Sequence, residues 1–333
     1  MKMKKLLLIL LCLPMIGFGQ NVNIPDANFK AYLVGEPSIN TNGDSEIQVS
    51  EASAYNGTIS CSSMNISDLT GIEEFTALVS LDINNSNISS LDLTNNILLK
   101  YLYCHNNQLS FLDLTQNVNL KILWCSGNQL TFLDLSQNVN LDTLYSSGNQ
   151  LTSLDLSYNT ALSELDVGFI NPMIIDFSML VNLKSLWFYN LLELDLSNNP
   201  MLENLGGGFN DNYLTYVNIR NGNNINLTCD AVLPLSCGSF RLHTNLTCIQ
   251  VDDVSWANTN WIDNISWNGQ PAIDTTFQYF SVNCPPPTSI QEHTTNKELL
   301  KVTDLLGRET KQKNQPLFYI YDDGTVEKRI ILE

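Results

Sequence analysis

The sequence predicts a repeat solenoid: coils of about 21 residues, each giving one short strand to a parallel sheet on one face, closed by caps at both ends and followed by a small β module. Three observations carry that expectation. Leu99, Leu120, Leu141, Leu162 and Leu183 recur every 21 residues, and Leu102, Leu123, Leu144, Leu165 and Leu186 keep the same step. A second half-repeat runs through Leu91-Asp92-Leu93, Leu112-Asp113-Leu114, Leu133-Asp134-Leu135 and Leu154-Asp155-Leu156. It then loosens into Ile175-Asp176-Phe177, Leu194-Asp195-Leu196 and Val217-Asn218-Ile219. Asparagines mark both turns, at Asn107, Asn128 and Asn149 and at Asn96, Asn117, Asn138 and Asn159. A period of this length belongs to units that cannot bury an apolar face alone and must stack.

The unit L-x-x-L-x-[LC]-x-x-N-x-L-x-x-L-D-L-[ST]-x-N over residues 58–222 resembles the leucine-rich repeat, in the short form of bacterial surface proteins of the Bacteroidetes type. The resemblance implies inward leucines, with asparagines bonding the backbone groups that the turns leave unpaired. The aspartates Asp92, Asp113, Asp134, Asp155, Asp176 and Asp195 sit between buried leucines and face solvent. The glycine-rich nonapeptide of calcium-binding β-rolls is absent.

The ends follow the same logic. Residues 1–19 read as an export signal: Lys2, Lys4 and Lys5, then the apolar run Leu6 to Leu13, then Gly17-Phe18-Gly19. Nothing later approaches the roughly 20 apolar residues of a membrane-spanning helix. Residues 20–57 form an N-terminal cap, with a short helix near Ile24 to Leu33 and a dodecamer from Asn40 to Glu51 that resembles an EF-hand loop. Its oxygen donors stand at positions 1, 3, 5, 7 and 12 as Asn40, Asn42, Asp44, Glu46 through its carbonyl, and Glu51. Asn40 stands where Asp is usual and Ser45 where glycine is usual. The two readings are a weak calcium site, at about 10⁻⁴ to 10⁻³ M, and a turn that only caps the solenoid. No other cofactor is expected.

Cysteines divide into two kinds. Cys61, Cys104 and Cys125 hold the inward L-x-C position, where unpaired thiols are expected. Cys229, Cys237, Cys248 and Cys284 lie in a C-terminal cap, residues 223–284, where an exported chain keeps disulfides. Sequence separation favours Cys229 with Cys237 and Cys248 with Cys284 among three possible connectivities.

Composition bears on function. The chain carries 34 acidic and 16 basic residues, net −18, which argues against nucleic acid as a partner. The three histidines leave little for a histidine metal centre. No G-x-S-x-G, H-E-x-x-H, phosphate loop or dinucleotide fingerprint occurs, so no enzyme is expected. The short strands offer more. Residues after the second leucine point outward and read Asp82, Tyr103, Trp124, Tyr145, Asp166, Trp187 and Gly206, with Tyr101 and Tyr189 in the flanking columns. Such a strip suits a protein or glycan ligand contacting Tyr101, Tyr103, Trp124, Tyr145, Asp166, Trp187 and Tyr189. The competing expectation is a structural envelope or matrix component in which the rings only pack on one another.

Prolines 285–287 begin a linker over residues 285–288, before a tail that changes in charge balance. Residues 289–333 hold 7 basic and 8 acidic residues, whereas residues 20–288 hold 6 and 26. The tail's D-L-L-G-R-E motif, Y-I-Y strand, D-G turn and final K-R-I-I-L strand resemble the C-terminal sorting domain of the type IX secretion system. That resemblance implies engagement by the secretion machinery and a secreted or cell-surface location in a Gram-negative bacterium, after signal cleavage.

Overall fold

The computed structural model describes residues 20–207, 213–224, 245–259 and 278–284, and the backbone of short strands at 265–266, 270–271, 299–303, 316–321 and 326–330. The chain divides into two compact units, Met1–Cys284 and Pro285–Glu333. Among the described residues no helix is long and apolar enough to cross a membrane.

The first unit opens with helix α1 (Ala27–Gly35), begun by Asp26, whose carboxylate accepts hydrogen bonds from the amides of Asn28 and Phe29 at 2.9 and 3.0 Å. Phe29 and Leu33, one turn apart, bury fully in the core. Helix α2 (Val49–Ala54) is tied at its start by Glu51, which accepts from the Gln48 amide at 3.0 Å.

The coils then climb as a parallel ladder: β1 (Thr58–Ser60), β2 (Ser80–Asp82), β3 (Tyr101–Tyr103), β4 (Ile122–Trp124), β5 (Thr143–Tyr145), β6 (Glu164–Met173) and β7 (Ser185–Leu191). A strand at the second half-repeat, β8 (Glu193–Asp195), interrupts the order before β9 (Asn204–Gly207) completes the eight-stranded sheet. The register places Leu81, Leu102, Leu123, Leu144, Leu165, Leu186 and Leu205 side by side. All seven are buried. Each inward leucine contributes about 2 kcal/mol of apolar burial, and no single coil could collect that alone. This is the leucine-rich repeat solenoid that the 21-residue period predicts.

Two asparagine columns hold neighbouring coils together. Asn128 donates to the carbonyls of Cys104 and Cys125 at 2.9 and 3.0 Å and accepts from the Leu109 amide at 3.0 Å; Asn107 and Asn149 do the same one coil away. At the other turn Asn117, Asn138 and Asn159 each donate to two carbonyls of the preceding coil. Buried backbone acceptors that a turn would orphan are thereby satisfied.

Beyond residue 222, in the stretch expected as a cap, the ladder continues. Strands β10 (Tyr216–Asn218), β11 (Cys248–Gln250) and β14 (Tyr279–Ser281) extend from β8 as a second parallel sheet in the order β8-β10-β11-β14. Val217 pairs with Leu194, Ile249 with Val217 and Phe280 with Ile249, so the second half-repeat carries this sheet. A four-residue helix α3 (Val254–Ala257) follows β11, and β12 (Ile265–Ser266) and β13 (Gln270–Pro271) form a separate antiparallel pair. Cys248 and Cys284 are disulfide-bonded, with Cα atoms 5.7 Å apart, across 36 residues. Closing a loop of that length stabilises by about 4 kcal/mol in the chain-entropy account.

The second unit contains β15 (Leu299–Thr303), β16 (Pro316–Tyr321) and β17 (Val326–Ile330), paired antiparallel in that order.

Candidate functional site: the strand face

Alternation of side chains along each three-residue strand decides what the sheet shows to solvent. The central residue points inward, and the residues on either side of it point outward. Because the strands are in register, single outward positions become columns: Asp82, Tyr103, Trp124, Tyr145, Asp166, Trp187 and Gly206 stand on consecutive rungs. Rungs stand about 4.8 Å apart, close enough for the rings to meet. Trp124 and Tyr145 make an edge-to-face contact with centroids 5.3 Å apart, and Tyr145 and Trp187 another at 6.3 Å. Tyr101, Tyr103, Trp124, Tyr145, Asp166, Trp187 and Tyr189 are all half-buried. The rings therefore do both things expected of them: they pack along the ladder and still present surface.

The flanking columns add polarity. Tyr145 donates its hydroxyl to Glu164 at 2.8 Å, and Ser147 donates to Asp166 at 2.7 Å. Burial, then the bond to Glu164, push the Tyr145 hydroxyl well above the ordinary tyrosine range. Burial likewise raises the Asp166 carboxyl, and the Ser147 bond offsets this only in part. His105 stacks on Trp124 with centroids 4.0 Å apart and planes 19° from parallel. Burial lowers its pKa against the pull of Asp82, which favours a neutral imidazole. Its thiol neighbour Cys104 is fully buried and held well above the ordinary thiol range by burial, so no nucleophile-base pair forms.

Two features of this face have weaker sequence signals. Gly168 pairs with Tyr189, and a Cβ added at Gly168 would lie 2.0 Å from the Tyr189 ring, so the ring rests on a glycine backbone. The His105–Trp124 stack links two columns; its only sequence signal is that both residues are outward and one strand apart.

The dodecamer residues converge, largely by bonding one another. Asn40 donates to the carbonyls of Val34 and Asp44 and accepts from the Gly43 amide. Asn42 accepts from the Asp44 amide, and Asp44 accepts from the Glu46 amide and from the side chains of Asn42 and Gln48. Glu51 accepts from the amides of Thr41 and Asn42 and from the Thr41 hydroxyl. The Glu46 side chain faces away, to an ion pair with Lys30 at 2.7 Å. The side-chain oxygens of Asn40, Asn42, Asp44 and Glu51 thus have protein donors already, and an entering cation would have to displace them. Among the described residues no group of three or more His, Cys, Asp or Glu is placed to hold a metal ion.

Cys61, Cys104 and Cys125 are buried free thiols, and Cys248 and Cys284 are paired. Cys229 and Cys237 lie outside the described residues.

The corner aspartates do more than face solvent. Asp92, Asp113, Asp134, Asp155, Asp176 and Asp195 each accept the amide two residues on, from Thr94, Thr115, Ser136, Ser157, Ser178 and Ser197, at 2.8 to 3.0 Å. These are Asx turns. The Asp-x-[Ser/Thr] spacing in each repeat is their sequence signal.

No family model matches this sequence, and no curated protein matches it. Among solved structures, internalin C2 of Listeria monocytogenes is similar at 18% identity, covering 70% of this chain and 97% of that one with a TM-score of 0.49. A second internalin of the same organism is similar at 19% identity, covering 73% of this chain and 82% of that one with a TM-score of 0.48. At these values the likeness bears on neither ligand nor partner, and the fold assignment rests on the strand order and register of this chain.

Proposed function

We propose that this is an exported, non-enzymatic binding protein that holds a protein or glycan ligand on the strand face, through Tyr101, Tyr103, Trp124, Tyr145, Asp166, Trp187 and Tyr189. One observation carries the reading: the outward column is in register over seven strands and brings four rings onto one face, with Trp124, Tyr145 and Trp187 in contact along it. Large rings supply contact area at low entropy cost. Residues 1–19 act as the export signal, residues 20–57 as the N-terminal cap, residues 223–284 as the C-terminal closure that carries the rungs β11 and β14, and residues 285–288 as a linker. The tail, residues 289–333, is the type IX export address, which makes the bacterium Gram-negative and the destination the surface or the medium. At the N-terminal loop we read a capping turn with at most weak calcium affinity, near 10⁻⁴ to 10⁻³ M.

Affinity capture on the purified protein tests the strand face. A partner or glycan retained by the wild type and lost when Tyr103, Trp124, Tyr145 and Trp187 are all changed to alanine supports it. Full retention by the folded quadruple variant would leave the structural-component reading.

A further inference from the structure

We propose that Asp166 receives the guanidinium or ammonium group of a basic side chain presented by a protein ligand. This rests on the strand-face reading and narrows it to one chemistry. Asp166 on β6 stands between Tyr145 on β5 and Trp187 on β7, in register with both. Two rungs separate those rings by roughly 9.6 Å at the backbone, yet their centroids are 6.3 Å apart. The rings therefore lean toward each other across the intervening carboxylate.

That carboxylate is poorly compensated. It accepts from Ser147 at 2.7 Å, and among the described residues no lysine or arginine is within ion-pair distance of it. Burial pushes its pKa up, which reports the cost of holding a charge there. Glu164 lies two residues away on the same strand, one oxygen already bonded to the Tyr145 hydroxyl. The outward strand positions from β2 to β7 contain no lysine or arginine; Lys100, Lys121 and Lys184 are exposed in the turns that precede strands.

The rings and the carboxylate ask for the same ligand. A cation within about 6 Å of a Trp or Tyr face is attracted by the ring quadrupole, most strongly once desolvated, and it forms a charge-assisted hydrogen bond with a carboxylate. A neutral sugar would stack on the rings and donate hydroxyls, but it would leave the charge of Asp166 uncompensated.

Calorimetry on the full chain with a hexa-arginine peptide tests this, with hexa-lysine as the arm separating guanidinium from ammonium. The protein's acidity alone would attract either peptide, so the decisive comparison is between charge-matched variants. Asp166→Asn is expected to weaken binding about tenfold, the loss of one charge-assisted contact. Asp155→Asn, an equal charge change at an exposed corner, is expected to change it less than about twofold. Trp187→Leu, checked for folding by circular dichroism, should follow Asp166→Asn. Equal weakening by the two Asn variants, or no peptide binding by the wild type, would overturn the proposal. If the strand-face quadruple variant still loses a captured ligand in that case, the broader reading stands and only the cation assignment falls.

Discussion

Asp166 and Asp155 are the same residue eleven positions apart, and the coil gives them opposite environments. Asp155 stands at the corner between two buried leucines, exposed, accepting the Ser157 amide at 2.9 Å, and that bond holds its carboxyl below the usual range. Asp166 stands on the strand face between two rings, and burial holds it above that range. The first carboxylate builds a turn. The second costs folding free energy while ionised, which is the mark of a position kept for something other than stability. In a solenoid the place within the coil, more than the residue type, fixes what a side chain does.

The largest expected effect separates the two regions by binding. Changing Tyr103, Trp124, Tyr145 and Trp187 to alanine should reduce affinity for any captured ligand at least about 100-fold, in line with several interface anchors lost together. Changing Asp92, Asp113, Asp134 and Asp155 to asparagine should leave that affinity within about threefold. Equal losses in a binding titration would erase the functional difference between face and corner.

Both regions hang from the asparagine columns, so Asn128→Ala should damage each. It strands the Leu109 amide in the core, while the Cys104 and Cys125 carbonyls each keep one donor, from Asn107 and Asn149, at a cost of about 1–3 kcal/mol. Urea denaturation measures it; a change below about 0.5 kcal/mol would deny the ladder its role.

Smaller effects should differ in sign. Asp166→Asn keeps a partner for the Ser147 hydroxyl and removes the buried charge, so it should raise stability at neutral pH by about 1 kcal/mol. Asp134→Ala removes a turn acceptor and should lower stability by under about 1 kcal/mol. Two changes of the same sign in thermal melts would contradict the comparison.

The pH dependence follows from the same shifts. Asp92, Asp113, Asp134, Asp155 and Asp176, with folded pKa values below the ordinary 3.8, contribute stability that is complete above 3.8 and lost as pH falls through the folded values. Glu51, lowered by the bonds from Gln48, Thr41 and Asn42 although burial alone would raise it, behaves alike below 4.5. Asp166 runs the other way: its folded pKa is raised, so stability is gained as pH falls through that value. Denaturation midpoints should rise slightly on mild acidification, then fall below about pH 4. Asp166→Asn should diminish the rise and leave the fall intact.

Much of this was legible in the sequence wherever the period held. With 21-residue steps from Leu99 to Leu183, column membership followed by counting, and the outward strip, the inward thiols and the asparagine turns were all readable. Legibility ended where spacing changed. The rungs at Ile249 and Phe280 lie 32 and 31 residues beyond their partners. Longer excursions between rungs and the loss of the Leu-Asp-Leu signature hide them from a repeat count. The corner aspartates were visible as a column, but their work is a bond to a backbone amide, which a pattern of side-chain types does not display. The burial of Asp166 was hidden for a similar reason: it depends on how far two rings lean across it.

Carbon-13 NMR titration of the aspartate carboxyl groups tests the account most directly, because it reads both environments in one sample. Asp166 is expected to titrate above 3.8 while Asp134 and Asp155 titrate below it. Asp166 titrating together with the corner aspartates would contradict the claim that coil position sets the role.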